Sequence, residues 1–340
     1  MIRVGLIGAG MVGNAHANAY ARLPNAQVVA VADGRADRAQ AMAECFEAQA
    51  FSTMAELLAG TQVDMIDICL PTPRHAEHTV AALAAGKHVL CEKPIARTLE
   101  DAQRMIDAAK EARDRFGSKF MVGQVVRFFP EYARAHDLLR QGVIGQSKVA
   151  RTLRGGIFPA WSADNWLGDF AQSGGVVLDT ACHEFDWLRW CFGEVVRVFA
   201  RGLVYETLAQ GQPRDHGLIL LRFQSGMIAH VEVTWALPPG GPFMTKVEIA
   251  GTKGLMAFDN QTSMPIQGYW LGSDGSSNTI PESPVAVTPF QAEISHFLEC
   301  IEQDREPLVS PEDALAALEI SLAALESIES GQPVTLGGAR

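Results

Sequence analysis

The sequence predicts an α/β protein: a doubly wound parallel sheet over its first third, then a second α/β unit with an open, largely antiparallel sheet. Two observations carry this. From Ile2 to about Val122, short β-branched runs alternate with Ala-rich helical stretches, the pattern of a parallel sheet covered on both faces. After about Gly123 the strand-like runs alternate apolar with polar residues and few helices separate them, which suits a sheet with one face on the core. The expected division is therefore 1–123 and 124–340.

In the first unit the strands fall at Arg3–Ile7, Gln27–Ala32, Met65–Leu70, His88–Cys91 and Phe120–Val122, where the apolar runs are short and unbroken. Helical periodicity places helices near Val12–Leu23, Ala36–Glu47, Ala55–Ala59, Arg74–Ala85 and Leu99–Arg115. The second unit opens with a helix at Pro130–Gln141. Strands follow at Ser147–Arg154, Val195–Tyr205, Gly217–Phe223, Ile228–Trp235, Thr245–Ala250 and Leu255–Asp259. Gln224 to Gly226 and Gly251 to Gly254 read as hairpin turns. Helices near Phe290–Glu302 and Pro311–Glu329 end the chain. Ser310 caps the last of them, Pro311 fills its first position, and Glu312 and Asp313 suit the positive end of its dipole. Gly272 to Ser277 is the one linker-like stretch.

The 340 residues hold 28 Lys plus Arg against 39 Asp plus Glu, a formal charge of -11. That balance disfavours nucleic acid, which is bound by neutralising phosphates. No apolar run approaches the roughly 18 residues of a bilayer span, so no membrane partner is expected. Met1 to Ala17 has a basic residue and an apolar middle, as a signal peptide would. Glycines at 5, 8, 10 and 13 suit instead a strand turning into a helix. Cys45, Cys69, Cys91, Cys182, Cys191 and Cys300 form no C-x-x-C pair, and buried thiols in a reducing cytoplasm are expected.

Gly8, Gly10 and Gly13 form G-x-G-x-x-G between a strand and a helix, with Met11 and Val12 inside the motif. Gly8 permits the tight turn, Gly10 lets the backbone approach a pyrophosphate, and Gly13 allows close helix–strand packing. Asp33 ends the second strand, where a carboxylate accepts from ribose hydroxyls and repels a 2'-phosphate. A glycine turn that binds nothing is the bland alternative; the strand, helix and Asp33 favour dinucleotide, and NAD over NADP. Arg35 and Arg38 stand near enough to receive a phosphate if the loop turned.

Lys93 follows the fourth strand, at the end where doubly wound sheets hold ligands. It is either a surface lysine or a cation that stabilises developing alkoxide charge. Asp179, His183 and Asp186 at i, i+4 and i+7 would share one face of a helix made largely buried by Trp187 and Trp190. Three readings fit: a core histidine with a carboxylate partner, a general base tuned by Asp179, or oxygen and nitrogen ligands to a divalent metal. No accompanying metal-site spacing supports the third, and no metal is expected.

At these residues the chain resembles the glucose-fructose oxidoreductase and inositol dehydrogenase family (Gfo/Idh/MocA), over nearly its whole length. Three blocks carry the resemblance: Gly8-x-Gly10-x-x-Gly13 with Asp33; Pro71-Thr72-Pro73-Arg74-His75 leading into Glu92-Lys93-Pro94; and Ser173-Gly174-Gly175 through Asp179-x-x-x-His183-x-x-Asp186. The resemblance implies a Rossmann domain followed by an α/β domain whose sheet often joins subunits, as a homodimer or homotetramer. It makes Lys93 the catalytic lysine, Asp179 its orienting aspartate and His183 the acid/base, with Lys93-Pro94 often cis. It lays Pro71, Thr72 and His75 along the cofactor, with Glu92 under the nicotinamide, and we group Arg38, Met11 and Val12 with them. Ala181 replaces a glycine common in relatives, and Val126-Arg127-Phe128 lacks the Asn of inositol dehydrogenases. Arg127, Trp161 and Trp166 are expected to line the substrate pocket or else to pack. The expected activity is hydride transfer between NAD and a secondary alcohol of a sugar or polyol. An NAD-dependent glycosidase using transient oxidation, or a dinucleotide sensor without turnover, are the alternatives.

Overall fold

The computed structural model describes residues 1–204, 215–261 and 287–337 in full, and 267–271 and 277–281 as backbone strands. The first sheet is built from β1 (Ile2–Ile7), α1 (Met11–Tyr20), β2 (Ala26–Ala32), α2 (Ala36–Glu44), β3 (Gln49–Phe51), α3 (Met54–Gly60), β4 (Met65–Ile68), α4 (His75–Ala84), β5 (His88–Glu92), α5 (Leu99–Phe116) and β6 (Phe120–Gly123). Its six strands are parallel in the order β3-β2-β1-β4-β5-β6. The order reverses between β1 and β4, so a crevice opens beyond their carboxyl ends. β3 has only three residues, too few to show a period, and the sequence pattern does not reveal it.

The second unit runs α6 (Pro130–Arg140), β7 (Ser147–Gly155), α7 (Phe170–Ser173), α8 (Gly175–Asp179), α9 (Ala181–Phe192), β8 (Val195–Leu203), β9 (His216–Phe223), β10 (Ile228–Thr234), β11 (Met244–Gly251), β12 (Leu255–Asp259), β13 (Gln267–Leu271), β14 (Ser277–Pro281), α10 (Pro289–Glu302), α11 (Pro311–Ser330) and β15 (Val334–Thr335). A seven-stranded sheet has the order β12-β11-β7-β10-β9-β8-β15. Its pairs are antiparallel except β7 with β10. β13 and β14 pair as a separate hairpin. Tyr205 and residues 272–276 of the linker-like stretch lie outside the described residues.

Helices α8, α9 and α11 cover one face of the second sheet, while α10 packs on α1 and α11 also touches α5 and β6. The end of the chain thus returns to the first sheet, and the buried apolar residues of both units form one continuous core. The last helix begins as its sequence dictates: the Ser310 hydroxyl accepts from the Asp313 amide, and the Asp313 carboxylate accepts from the Ser310 amide. Gln224 to Gly226 and Gly251 to Gly254 are turns joining adjacent antiparallel strands, with Gly226 at φ 83°.

Candidate active site

A cavity of about 1410 Å³ lies where the crevice of the first sheet meets the second unit. The three motif glycines meet different neighbours there. A Cβ on Gly8, which has φ +99°, would stand 2.5 Å from the Cys69 carbonyl oxygen, and one on Gly13 would stand 1.9 Å from the Gly8 carbonyl oxygen. The chain's own packing therefore requires both glycines. A Cβ on Gly10 meets nothing within 4 Å, so the space beside it is kept open for something other than protein. Gly10 also caps α1 without a side-chain acceptor, leaving the first amides of that helix free to meet an anion. The loop fits a dinucleotide.

Asp33 closes the other side of this loop. Its Oδ2 accepts from the Ala9 amide at 2.8 Å and its Oδ1 from the Arg35 amide at 2.8 Å. The carboxylate is held at the cavity wall with lone pairs to spare for ribose hydroxyls. Met11, Val12 and Arg38 line the same wall, and Pro71, Thr72 and Glu92 continue it toward Lys93. His75 does not line the cavity. It is fully buried, with Nδ1 2.8 Å from the Pro94 carbonyl oxygen and Nε2 2.8 Å from that of Leu70. Burial holds its ring below the ordinary histidine pKa. The side chain links the loops after β4 and β5 and reaches the cofactor site only through them.

Lys93 leaves the end of β5 and crosses to the second unit. Its Nζ donates to the Asp179 carbonyl oxygen at 2.9 Å and to Asp179 Oδ1 at 3.2 Å, while its amide donates to Glu92 Oε2 at 3.1 Å. Lys93-Pro94 is cis. Burial alone would weaken the ammonium, but the charge of Asp179, and behind it that of Glu92, outweighs it and raises the pKa. Lys93 is therefore a cation at neutral pH.

The single helix face expected for Asp179, His183 and Asp186 does not form. α8 ends at Asp179 and α9 begins at Ala181, with Thr180 between them. Asp179 turns to Lys93 and His183 lines the cavity, whereas Asp186 accepts from Arg127 Nε at 2.7 Å and Nη2 at 2.6 Å. The three do not converge as metal ligands. Of the two places expected for Arg127, the substrate pocket or the packing, the structure shows the second: it is buried and does not line the cavity. Its Nη1 donates to the Leu308 carbonyl oxygen at 3.0 Å and to Asp313 Oδ2 at 3.2 Å. A guanidinium sealed from water needs such partners, and here buried Asp186 and the start of α11 supply them.

His183 Nδ1 is buried without a hydrogen-bond partner, leaving Nε2 as the nitrogen that can meet a ligand. Burial, then the positive charges of Lys93 and Arg154, press its pKa well below 6.5. The ring is neutral and can accept a proton. Trp161, 54 % exposed, and Trp166 both line the cavity. So do Asn14 and Arg154, which the sequence did not single out. Asn14 Nδ2 donates to the Gly10 carbonyl oxygen at 2.7 Å. Arg154 Nε donates to Glu184 Oε1 at 2.7 Å and its Nη2 to the Tyr132 hydroxyl at 3.2 Å. Nothing in the alternation of β7 marks this arginine as different from its solvent-facing neighbours.

Residues 2–120 match the family described as an oxidoreductase family with an NAD-binding Rossmann fold, and residues 136–336 match its C-terminal alpha/beta domain. The chain is similar to myo-inositol 2-dehydrogenase of Thermotoga maritima, 30 % identical over 98 % of this chain and 98 % of the relative. It is 29 % identical to scyllo-inositol 2-dehydrogenase (NAD(+)) of Bacillus subtilis, over 98 % of this chain and 96 % of the relative. The crystal structure of a probable dehydrogenase from Thermotoga maritima matches the fold with a TM-score of 0.83 and 28 % identity, covering 98 % of this chain and 99 % of that one.

Proposed function

The chain belongs to this oxidoreductase family, and from that premise we propose that it is an NAD-dependent dehydrogenase oxidising a secondary alcohol of a sugar or polyol. The observation that carries the reading is that Lys93, Asp179 and His183 meet in one cavity with the glycine loop. Bound along that loop, NAD supplies the hydride acceptor. His183, neutral, takes the hydroxyl proton as hydride leaves the carbon. The Lys93 ammonium stabilises the negative charge growing on oxygen, and Asp179 fixes where that ammonium points. Trp161 and Trp166 offer flat apolar faces to a sugar ring.

The relatives' inositol substrates make cyclic polyols the first class to test, with aldoses and their acids next. A screen of these compounds for NADH absorbance tests the proposal. Net NADH is the expected product; sugar release from an aryl glycoside without net NADH, or cofactor binding with no turnover on any of them, would overturn it.

We place the enzyme in a reducing cytoplasm, consistent with six free cysteines and with no helix among the described residues long and apolar enough to cross a membrane. We also place a second copy of the chain on the outer face of the seven-stranded sheet. Leu218, Leu220 and Ile228 stand exposed there on paired strands. Light scattering of Leu220→Asp tests this: a smaller particle than the wild type is expected, and an unchanged one counts against the interface.

A further inference from the structure

Under the cleft lies a buried polar cluster that this reaction leaves unused. His16 from α1, Asp67 from β4, Glu92 from the end of β5 and Glu293 from α10 meet there; the first two and Glu293 are 0 % exposed and Glu92 is 6 % exposed. His16 Nδ1 is 2.8 Å from Asp67 Oδ2, and its Nε2 is 3.1 Å from Glu92 Oε1. With a carboxylate oxygen facing each ring nitrogen, both nitrogens are donors and the ring is an imidazolium. Burial opposes that charge, but the Asp67 carboxylate beside Nδ1 outweighs it and raises the ring's pKa well above the ordinary value. The Tyr20 hydroxyl also donates to Asp67 Oδ2, at 2.9 Å. Glu92 Oε2 accepts from the Lys93 amide.

Glu293 differs from the rest. Neither of its oxygens has a hydrogen-bond partner, although a carboxylate oxygen lies within 4.8 Å of the His16 and Glu92 ligand atoms. An ionised carboxylate is not sustained unpaired in such a place, whereas a protonated one is. A divalent cation could bind here only by displacing the proton between His16 Nε2 and Glu92 Oε1. The remaining charged or titratable groups acting on Glu293 are Asp67, Asp186 and His16, with Tyr20 further along α1 and Cys69 and Lys93 just past the ends of β4 and β5. Asp186 is already neutralised by Arg127. Burial first, and then the charge of Glu92, push the Glu293 carboxyl well above its ordinary range.

We infer that Glu293 is a positioning residue that stores a proton for the cofactor site, keeping it while NADH occupies the cleft and releasing it to solvent when oxidised nicotinamide binds. The inference rests on the proposed function: the nicotinamide must lie beside the alcohol that Lys93 meets, and Glu92, the residue before Lys93, lines the same cavity. The positive ring of NAD+ favours a second negative charge behind Glu92; the neutral ring of NADH does not. Glu293–COOH then becomes Glu293–COO⁻ and the proton leaves, with no other bond changed.

The test is the dissociation constant of each cofactor form as a function of pH, together with the infrared carbonyl band of a protonated carboxylic acid in the ligand-free protein. In the wild type, the ratio Kd(NAD+)/Kd(NADH) should fall as pH rises, by up to about tenfold per pH unit for one linked proton. In Glu293→Gln the slope should flatten and the carbonyl band disappear. Glu293→Leu, close in size and needing no partner, repeats the test if the amide variant does not fold. A pH-independent wild-type ratio, or the wild-type slope and band retained in either variant, overturns the inference while leaving the dehydrogenase reading intact. Failure of both cofactor forms to bind would instead overturn that reading, and this inference with it.

Discussion

The Lys93 ammonium is anchored on Asp179, 2.9 Å from its carbonyl oxygen and 3.2 Å from its carboxylate, across 86 residues of sequence. One end of this contact is the carboxyl end of β5 and the other is the last residue of α8. The position of this charge in the cavity is thus fixed by the docking of the second unit on the first. A lysine on a long stem loses much rotamer freedom when held so, and the two acceptors of Asp179 offset that loss.

Replacing Lys93 by Met, or His183 by Ala, should lower kcat by roughly 10² or more, since each removes proton transfer or charge stabilisation. NADH affinity should change little in His183→Ala, which leaves the glycine loop untouched. Steady-state rates beside fluorescence titration of NADH check both. Undiminished turnover in both variants would end the catalytic assignment.

Gly10→Ala and Gly13→Ala should fail in different ways. The added methyl at Gly10 meets no protein atom within 4 Å, so the melting temperature should hold while the Kd for NADH rises by about tenfold or more, roughly 1.4 kcal/mol. At Gly13 the methyl would fall 1.9 Å from a carbonyl oxygen. That overpacking should cost about 1–3 kcal/mol of stability or more, visible in a urea melt without any ligand.

The acid limb of kcat/KM should lie below pH 6.5. His183 works as a base only when neutral, and burial with the charges of Lys93 and Arg154 keeps it neutral to lower pH than a free histidine. Activity should therefore persist as pH falls through 6.5 and be lost lower down. A limb centred above 6.5 that vanishes in His183→Ala would show that His183 is not held below the ordinary histidine value before the alcohol binds.

Arg127→Ala should be a stability variant. It strands Asp186, buried and twice hydrogen-bonded to the lost guanidinium, and breaking such a pair costs about 3–5 kcal/mol. The KM for the alcohol should stay near the wild-type value in whatever fraction folds. A raised KM with an unchanged melt would restore Arg127 to the substrate pocket.

Asp33→Ser should shift the preference from NADH toward NADPH by about tenfold, because the carboxylate that repels a 2'-phosphate is gone while Arg38 remains beside the site. Competitive titration of the two cofactors measures it, and an unchanged ratio would remove Asp33 from cofactor choice.

What the sequence by itself determined is local. The glycine spacing of a strand-to-helix turn, the Ser310-Pro311 start of the last helix and the apolar runs of β1, β2, β4 and β5 follow from backbone sterics, capping and burial, each readable within a few residues. Position and spacing singled out Lys93, Asp179 and His183 separately, a resemblance joined them, and the fold brings all three to one cavity. The tertiary structure decided the rest. It broke the helix at Thr180, paired β7 with β10 in parallel, and turned Arg127, Asp186 and His75 into the core. It also brought His16 and Glu293, unremarkable within their own helices, against Glu92. Periodicity reports which face of an element is buried; the partner of a buried charge is chosen by the distant element that packs on that face.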